Sequence, residues 1–121
     1  MPGLQPAAEV ELSSANQRTR AVAIFDSGSM LTTFGSDTAL LLGIDDVTVG
    51  HAGRVTTLAG VRDVYLFDLD LQLVGIGQPF QAQVGFFPTP IPRNILGRIV
   101  FFSKFEIGFR DTTGDLHLRE E

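Results

Sequence analysis

The sequence predicts an all-β protein, a small closed barrel with one or two short helices. Four segments alternate apolar and polar residues with the period of two that is typical of half-buried strands: 9–12, 67–73, 80–84 and 105–109. Glycines and prolines between residues 75 and 92 mark turns or loops. Long amphipathic segments, internal repeats and linkers are absent from the sequence. We therefore expect a single domain over residues 9–121.

The segments outside these strands complete the prediction in chain order. Residues 1–8, with two prolines, are predicted to form a loose N-terminal arm. The segment 21–25 is apolar throughout, so we expect a strand that is covered on both faces. Ser36 is the predicted cap of a short helix over 37–42, which Gly43 ends.

Two further elements are predicted near the C-terminus. A second short helix is expected over residues 97–103. The residues 111–114 are typical of a hairpin turn, which would join a strand at 105–110 to one at 115–119.

Composition narrows the classes of function. The net charge is −5, and the single lysine and eight arginines are scattered, which argues against a nucleic-acid surface. The chain has no cysteine, so disulfides and thiolate metal sites are excluded. Its apolar runs are too short to cross a bilayer, and we expect no membrane partner. With no recognisable signal peptide, the expected location is the cytoplasm.

The most informative stretch is "AIFDSGSM", in which Asp26 follows an apolar run and precedes three small residues. A carboxylate in such a place is costly unless hydrogen bonds replace its lost hydration. Three interpretations are open from the residues alone. Asp26 starts a turn that Gly28 completes, it belongs to an anion or metal site, or it is a chemical group placed deliberately at the end of a strand. Nothing nearby supports the second, because His51 and His117 are isolated in the sequence.

A second stretch, "PTPIPRNILGRIVF" at 88–101, places an apolar pair before a glycine. The order of the two motifs, Asp26-Ser27-Gly28-Ser29 and later Ile95-Leu96-Gly97-Arg98, resembles that of the retropepsin-like aspartic proteases. This family includes the protease of human immunodeficiency virus. The resemblance extends over roughly residues 10–118 and implies the small acid-protease barrel.

The resemblance also implies roles for particular residues. Asp26 would be the catalytic residue. Ser27, Gly28 and Ser29 would support it, through a hydroxyl that reaches the partner subunit, a close backbone approach, and a hydroxyl bonded to the carboxylate. Ile95, Leu96, Gly97 and Arg98 would form the structural motif beside the site. No metal or organic cofactor is implied.

The family pattern further implies a flap, a β-hairpin that covers the substrate, over residues 47–61. Its tip is expected near the small residues of 51–56, and an ordinary surface hairpin is the alternative. We expect an exposed His51 at this tip rather than a metal ligand. The predicted flap and substrate-binding residues are Gly50, His51, Ala52, Gly53, Arg54, Val55 and Thr56.

The expected chemistry needs two carboxylates, and the chain offers a single Asp-x-Gly motif. Asp68 and Asp70 alternate onto a predicted solvent face, so the second carboxylate would come from Asp26 of another copy. This predicts a homodimer with its C-terminal segment, 105–119, near the interface. The predicted function is an aspartic endopeptidase that hydrolyses extended polypeptides. The alternatives are a non-catalytic dimerisation or peptide-binding domain and an unrelated barrel in which Asp26 is a turn residue.

Overall fold

A computed structural model describes residues 7–15, 17–26, 28–57, 60–98, 105–109 and 116–120. These ranges hold mostly β-strands and a single α-helix. The strands are β1 (Ala7–Ser14), β2 (Gln17–Phe25), β3 (Thr33–Phe34), β4 (His51–Thr57), β5 (Gly60–Leu73), β6 (Ile76–Phe86), β7 (Asn94–Leu96), β8 (Phe105–Phe109) and β9 (Leu116–Glu120). The α-helix is α1 (Ser36–Leu41), and a 3-10 helix follows it at Val47–Val49.

Six of these strands form a closed barrel, which confirms the predicted fold class at this level. The strand order is β1-β2-β7-β3-β6-β5, and β1 closes the ring by pairing with β5 from Val10↔Leu73 to Ser13↔Asp70. The pairs β2–β7 and β3–β6 are parallel, whereas the other pairs in the ring are antiparallel. Strand β4 pairs with β5 outside the ring and lies at the end of the strand order.

The barrel interior is filled by alternate residues of the strands, as the sequence pattern predicts. The buried apolar residues that share this face include Val10, Leu12, Leu69, Leu71, Leu73, Ala82 and Val84. Asp68 and Asp70 alternate with Leu69 and Leu71 along β5 and are exposed, as predicted. The ring of Phe86 lies 5.7 Å from that of Phe67 and 6.2 Å from that of Phe34, so aromatic rings fill one part of the core.

Two predictions about the N-terminal half are wrong. The strand at 21–25 is not covered on both faces, because Val22 is 62% exposed while Ala23 and Phe25 are buried. The reason is that β2 lies in a single-layered barrel wall, where alternate residues face outward. The predicted arm is too long, because Ala7 and Ala8 belong to β1 and pair with Ile24 and Ala23. Residues 1–6 lie outside the described part of the chain.

The helix α1 begins differently from the prediction. Gly35 is its N-cap residue, and no side chain caps it; Ser36 is already helical, and its N–H donates to the carbonyl of Thr89 at 3.1 Å. The helix is followed by Gly43 at φ 80°, a left-handed conformation that glycine adopts at little cost. Of the second predicted helix, at 97–103, only Gly97 and Arg98 are described, and Gly97 is not helical.

The hairpin β4–β5 corrects the position of the predicted flap tip. Thr57 pairs with Gly60, so β4 continues past the predicted tip, and the two residues that join it to β5 lie outside the described ranges. Residues 51–56 are strand, and 47–49 form the 3-10 helix. Gly60, the first residue of β5, has φ 113°, a conformation that glycine adopts at little cost.

The strands β8 and β9 form a separate antiparallel pair, from Phe105↔Glu120 to Phe109↔Leu116. This agrees with the predicted C-terminal hairpin. Its predicted turn at 111–114 lies outside the described residues.

Candidate active site

The site begins where β2 ends. Asp26 follows Phe25 directly and opens a loop, residues 26–32, that leads to β3. Strand β7 lies between β2 and β3 and pairs with both, through Phe25↔Leu96 and Thr33↔Ile95. Because the loop connects the two neighbours of β7, it must cross the end of that strand.

Backbone hydrogen bonds fix this loop to the residues that follow β7. The N–H of Asp26 donates to the carbonyl of Leu96 at 3.1 Å, and the N–H of Arg98 donates to the carbonyl of Ser29 at 2.7 Å. The N–H of Gly97 donates to the Thr32 hydroxyl at 2.9 Å, a buried contact. The structure therefore brings Asp26 together with the Ile95–Arg98 motif, although about 70 residues separate them.

Gly97 allows this close approach because it has no side chain. A Cβ built on Gly97 would lie 2.9 Å from the Leu31 nitrogen and nearer still to the Leu31 carbonyl carbon and oxygen. Real Cβ atoms do not approach other heavy atoms so closely. Any larger residue at 97 must therefore displace the loop that carries Asp26.

Asp26 is a partly buried residue, and its carboxylate is held by its own loop through an exposed hydrogen bond. Its Oδ1 accepts a hydrogen bond from the N–H of Gly28 at 2.9 Å, and its carbonyl accepts one from the N–H of Ser29 at 3.1 Å. These bonds form the tight turn that was the first of the three interpretations, in which Asp26 starts a turn that Gly28 completes. Within the described part of the chain, Asp26 makes no ion pair.

The supporting serines give one correction. The resemblance implies that the Ser29 hydroxyl bonds the carboxylate, but it donates to the carbonyl of Leu31 at 2.9 Å instead. A serine hydroxyl carries one proton, and the local turn places the Leu31 carbonyl within its reach two residues on. Ser27 lies outside the described residues.

The predicted flap residues are separate from the loop. The residues 51–56 lie on β4, and no hydrogen bond joins them to Asp26 in the described part of the chain. A shallow depression of about 270 Å³ on the hairpin is lined by Ala52, Gly53, Arg54, Asp63 and Tyr65, and Asp26 is not among its lining residues. This depression belongs to the hairpin surface and has no part in the candidate site.

Sequence reasoning missed two residues that position the site. Thr32 is fully buried, and its hydroxyl accepts the Gly97 N–H. No local sequence signal distinguishes it from Thr33, which follows directly. Arg62 is the second, and its Nη2 donates to the Thr89 hydroxyl at 3.0 Å.

The described residues contain no group of three histidine, aspartate or glutamate side chains arranged to hold a metal ion. They also contain no helix of sufficient length and hydropathy to cross a bilayer. No protein-family model matches the chain, and no curated protein matches its sequence.

Proposed function

We propose that this protein is an aspartic endopeptidase of the retropepsin-like kind, active as a homodimer. One observation carries the proposal: Asp26 makes no ion pair among the described residues and stands on a loop that backbone hydrogen bonds fix to the end of β7. A surface turn needs none of this anchoring. A catalytic carboxylate needs it, because its position must be held to a fraction of an ångström.

The chemistry requires a second copy of the chain. One carboxylate accepts a proton from a water molecule, whose oxygen attacks the scissile carbonyl carbon while the other, protonated carboxyl donates to the carbonyl oxygen. Collapse of the tetrahedral intermediate breaks the C–N bond. The departing nitrogen takes the proton that the first carboxylate received from water, and the hydroxyl formed on the carbonyl oxygen returns its proton to the second carboxylate. Two carboxyls about 3 Å apart share one proton because both cannot ionise, the arrangement known from aspartic proteases. A two-fold axis brings Asp26 to its own copy.

The substrate is proposed to be an extended polypeptide. In the described sheet, β4 pairs on one side with β5 and ends the strand order on the other. A free strand edge can pair with a peptide backbone, and side-chain pockets then select the sequence. The β4–β5 hairpin is therefore the proposed flap.

The test compares two aspartate variants. We expect Asp26→Asn to lose at least about 10³-fold in peptide cleavage, because an amide neither holds the shared proton nor activates water. Asp68→Asn is the matched control, since Asp68 is exposed on the outer face of β5, and it should cleave at the wild-type rate. Sedimentation of both variants should show dimers. A persistent monomer, or full activity in Asp26→Asn, contradicts the proposal.

The second candidate is a non-catalytic dimerisation or peptide-binding domain. The observation that favours it is the Ser29 hydroxyl, which donates to Leu31 and not to the carboxylate. Strand pairing with β4 would not need Asp26 at all. This alternative predicts equal peptide affinity in the wild type and Asp26→Asn, with no cleavage by either from pH 3 to 8.

A further inference from the structure

The end of the β4–β5 hairpin projects beyond the rest of the sheet. Pairing between β5 and β6 reaches Tyr65↔Phe86, whereas pairing between β4 and β5 continues from Gly53↔Val64 to Thr57↔Gly60. Residues 53–57 and 60–64 therefore form a two-stranded extension, here called the ribbon. A two-stranded ribbon is marginally stable alone, so side-chain contacts to the barrel determine its position.

Arg62 makes two such contacts. Its Nη2 donates to the Thr89 hydroxyl at 3.0 Å, and its guanidinium carbon lies 4.5 Å from the centre of the Phe87 ring. Arg62 pairs with Val55, two positions from Gly60, the first residue of β5. The contacts thus act near the free end of the ribbon, where they restrain it most.

The residues that receive Arg62 are themselves fixed. The N–H of Phe87 donates to the carbonyl of Phe34 at 3.0 Å, and the Thr89 carbonyl accepts the N–H of Ser36 at 3.1 Å. Phe87 is 6% exposed, so its ring has little room to move. Residues 87–89 are therefore a platform attached to β3 and α1.

The platform and the loop that begins at Asp26 are both attached to strand β3. Strand β3 continues directly from the loop that begins at Asp26, and its Thr33 pairs with Ile95 of β7. A connection from the ribbon to the platform consequently sets the position of the ribbon relative to Asp26. Arg62 provides such a connection through its side chain.

We propose that Arg62 is a positioning residue that latches the ribbon to the platform in the closed state that binds substrate. The inference rests on the proposed function insofar as the ribbon is taken to cover the substrate. Arginine suits this role because its planar guanidinium can stack on a ring and donate a hydrogen bond together. Lysine offers a point charge and cannot reproduce both contacts.

The experiment measures amide hydrogen exchange of the ribbon in the intact protein without substrate. We expect Arg62→Ala to raise exchange of residues 53–64 about fivefold, the effect of one solvent-exposed hydrogen bond and one exposed cation–π contact. Arg62→Lys should give a smaller rise. The matched control is Arg54→Ala on the same hairpin, because Arg54 lies 3.6 Å from Asp63 and both side chains are highly exposed. It should leave the exchange unchanged.

Peptide cleavage supplies a second readout. We expect Arg62→Ala to raise KM about fivefold with kcat within twofold of wild type, because the open ribbon must close when substrate binds. Arg62→Lys should recover part of the loss. A purely structural role would lower the unfolding midpoint and the amount of active enzyme, without this split between KM and kcat.

Two results overturn the latch: wild-type exchange in Arg62→Ala, or an equal rise in Arg54→Ala. If Arg62→Ala does not fold, Thr89→Val removes the hydroxyl acceptor alone and should raise ribbon exchange about twofold. Unchanged exchange in that variant rejects the latch as well. The exchange experiment uses no substrate, so a wild-type protein that cleaves nothing would reject the proposed function and leave the latch to its own test.

Discussion

Replacement of Gly97 by alanine tests the contact that holds the candidate site together. The Cβ of alanine would enter the space of Leu31, whose backbone nitrogen lies 2.9 Å from the built position and whose carbonyl lies nearer. Ordinary Cβ contacts begin near 3.4 Å, so the Leu31 carbonyl must retreat by about 1 Å. Backbone on both sides is in contact here, and a flexible side chain cannot absorb the shift.

The cost follows from two effects. Overpacking in a closed site costs about 1–3 kcal/mol. Displacement of the loop also strains the buried hydrogen bond from the Gly97 N–H to the Thr32 hydroxyl, and a buried polar group left unpaired costs about 1–3 kcal/mol. Together these predict a loss of about 3 kcal/mol in the free energy of unfolding, a large fraction of the total stability of a small domain.

The assay is equilibrium unfolding in urea at one protein concentration, because any dimer dissociation would couple to unfolding. The control is Gly53→Ala, since a Cβ there would meet its nearest neighbours, Leu66 and Val64, at 3.6 Å, an ordinary contact. We expect it to change stability by less than about 0.5 kcal/mol. A loss below 0.5 kcal/mol in Gly97→Ala would refute the argument that the close approach fixes the loop.

Two further predictions concern pH. For the proposed dyad, peptide cleavage should be fastest below neutral pH and follow a bell-shaped profile, because the dyad must hold one proton; activity that rises steadily to pH 9 contradicts this. Hydrogen bonds from the Thr48 hydroxyl at 2.6 Å and from the Thr48 N–H lower the pKa of Asp46, so Thr48→Ala should raise it in an NMR titration. Because that pKa is depressed in the folded state, the contribution of Asp46 to stability is complete above the usual aspartate range, about pH 4, and is lost as pH falls through the lowered value.

The barrel could be predicted because the alternation of apolar and polar residues that produces it is visible within each strand. Alternation in β1, β5 and β6 depends on neighbours one and two positions away, and those residues fill the interior as expected. The outward direction of Val22 could not be predicted in this way. An apolar run is compatible with one or two covered faces, and only the position of β2 in a single-layered wall decides between them.

The flap tip was misplaced for a related reason. Gly50 and Gly53 favoured a mobile turn at 51–56, because glycine is associated with conformational freedom. Gly50 has an extended backbone, and a Cβ there would collide with the Phe67 ring. Gly53 lies within a strand. A glycine in a sequence does not reveal whether it serves a turn or a close approach.

The candidate site could be predicted only because its two motifs, at 26–29 and 95–98, resemble in their order the two motifs of a known protein family. Asp26 and Gly97 could be expected to meet, but Thr32 and Arg62 could not be singled out. Thr32 binds Gly97 across 65 positions of the chain, and Arg62 reaches Thr89 across 27. Such contacts depend on which strands become neighbours, and this information is absent from local periodicity.

The Asp26 loop and the ribbon are attached to the barrel in different ways, and the two attachments serve different parts of the proposed catalysis. The loop of Asp26 is held by backbone hydrogen bonds and by a glycine contact that admits no side chain, so its position is coupled to folding itself. Near its end the ribbon contacts the platform through Arg62, and we expect this end to open without unfolding of the barrel. Perturbation of Gly97 should therefore lower stability and cleavage together. Perturbation of Arg62 should change ribbon exchange and substrate binding and leave global stability nearly unchanged, because local opening near a protein surface requires far less free energy than global unfolding.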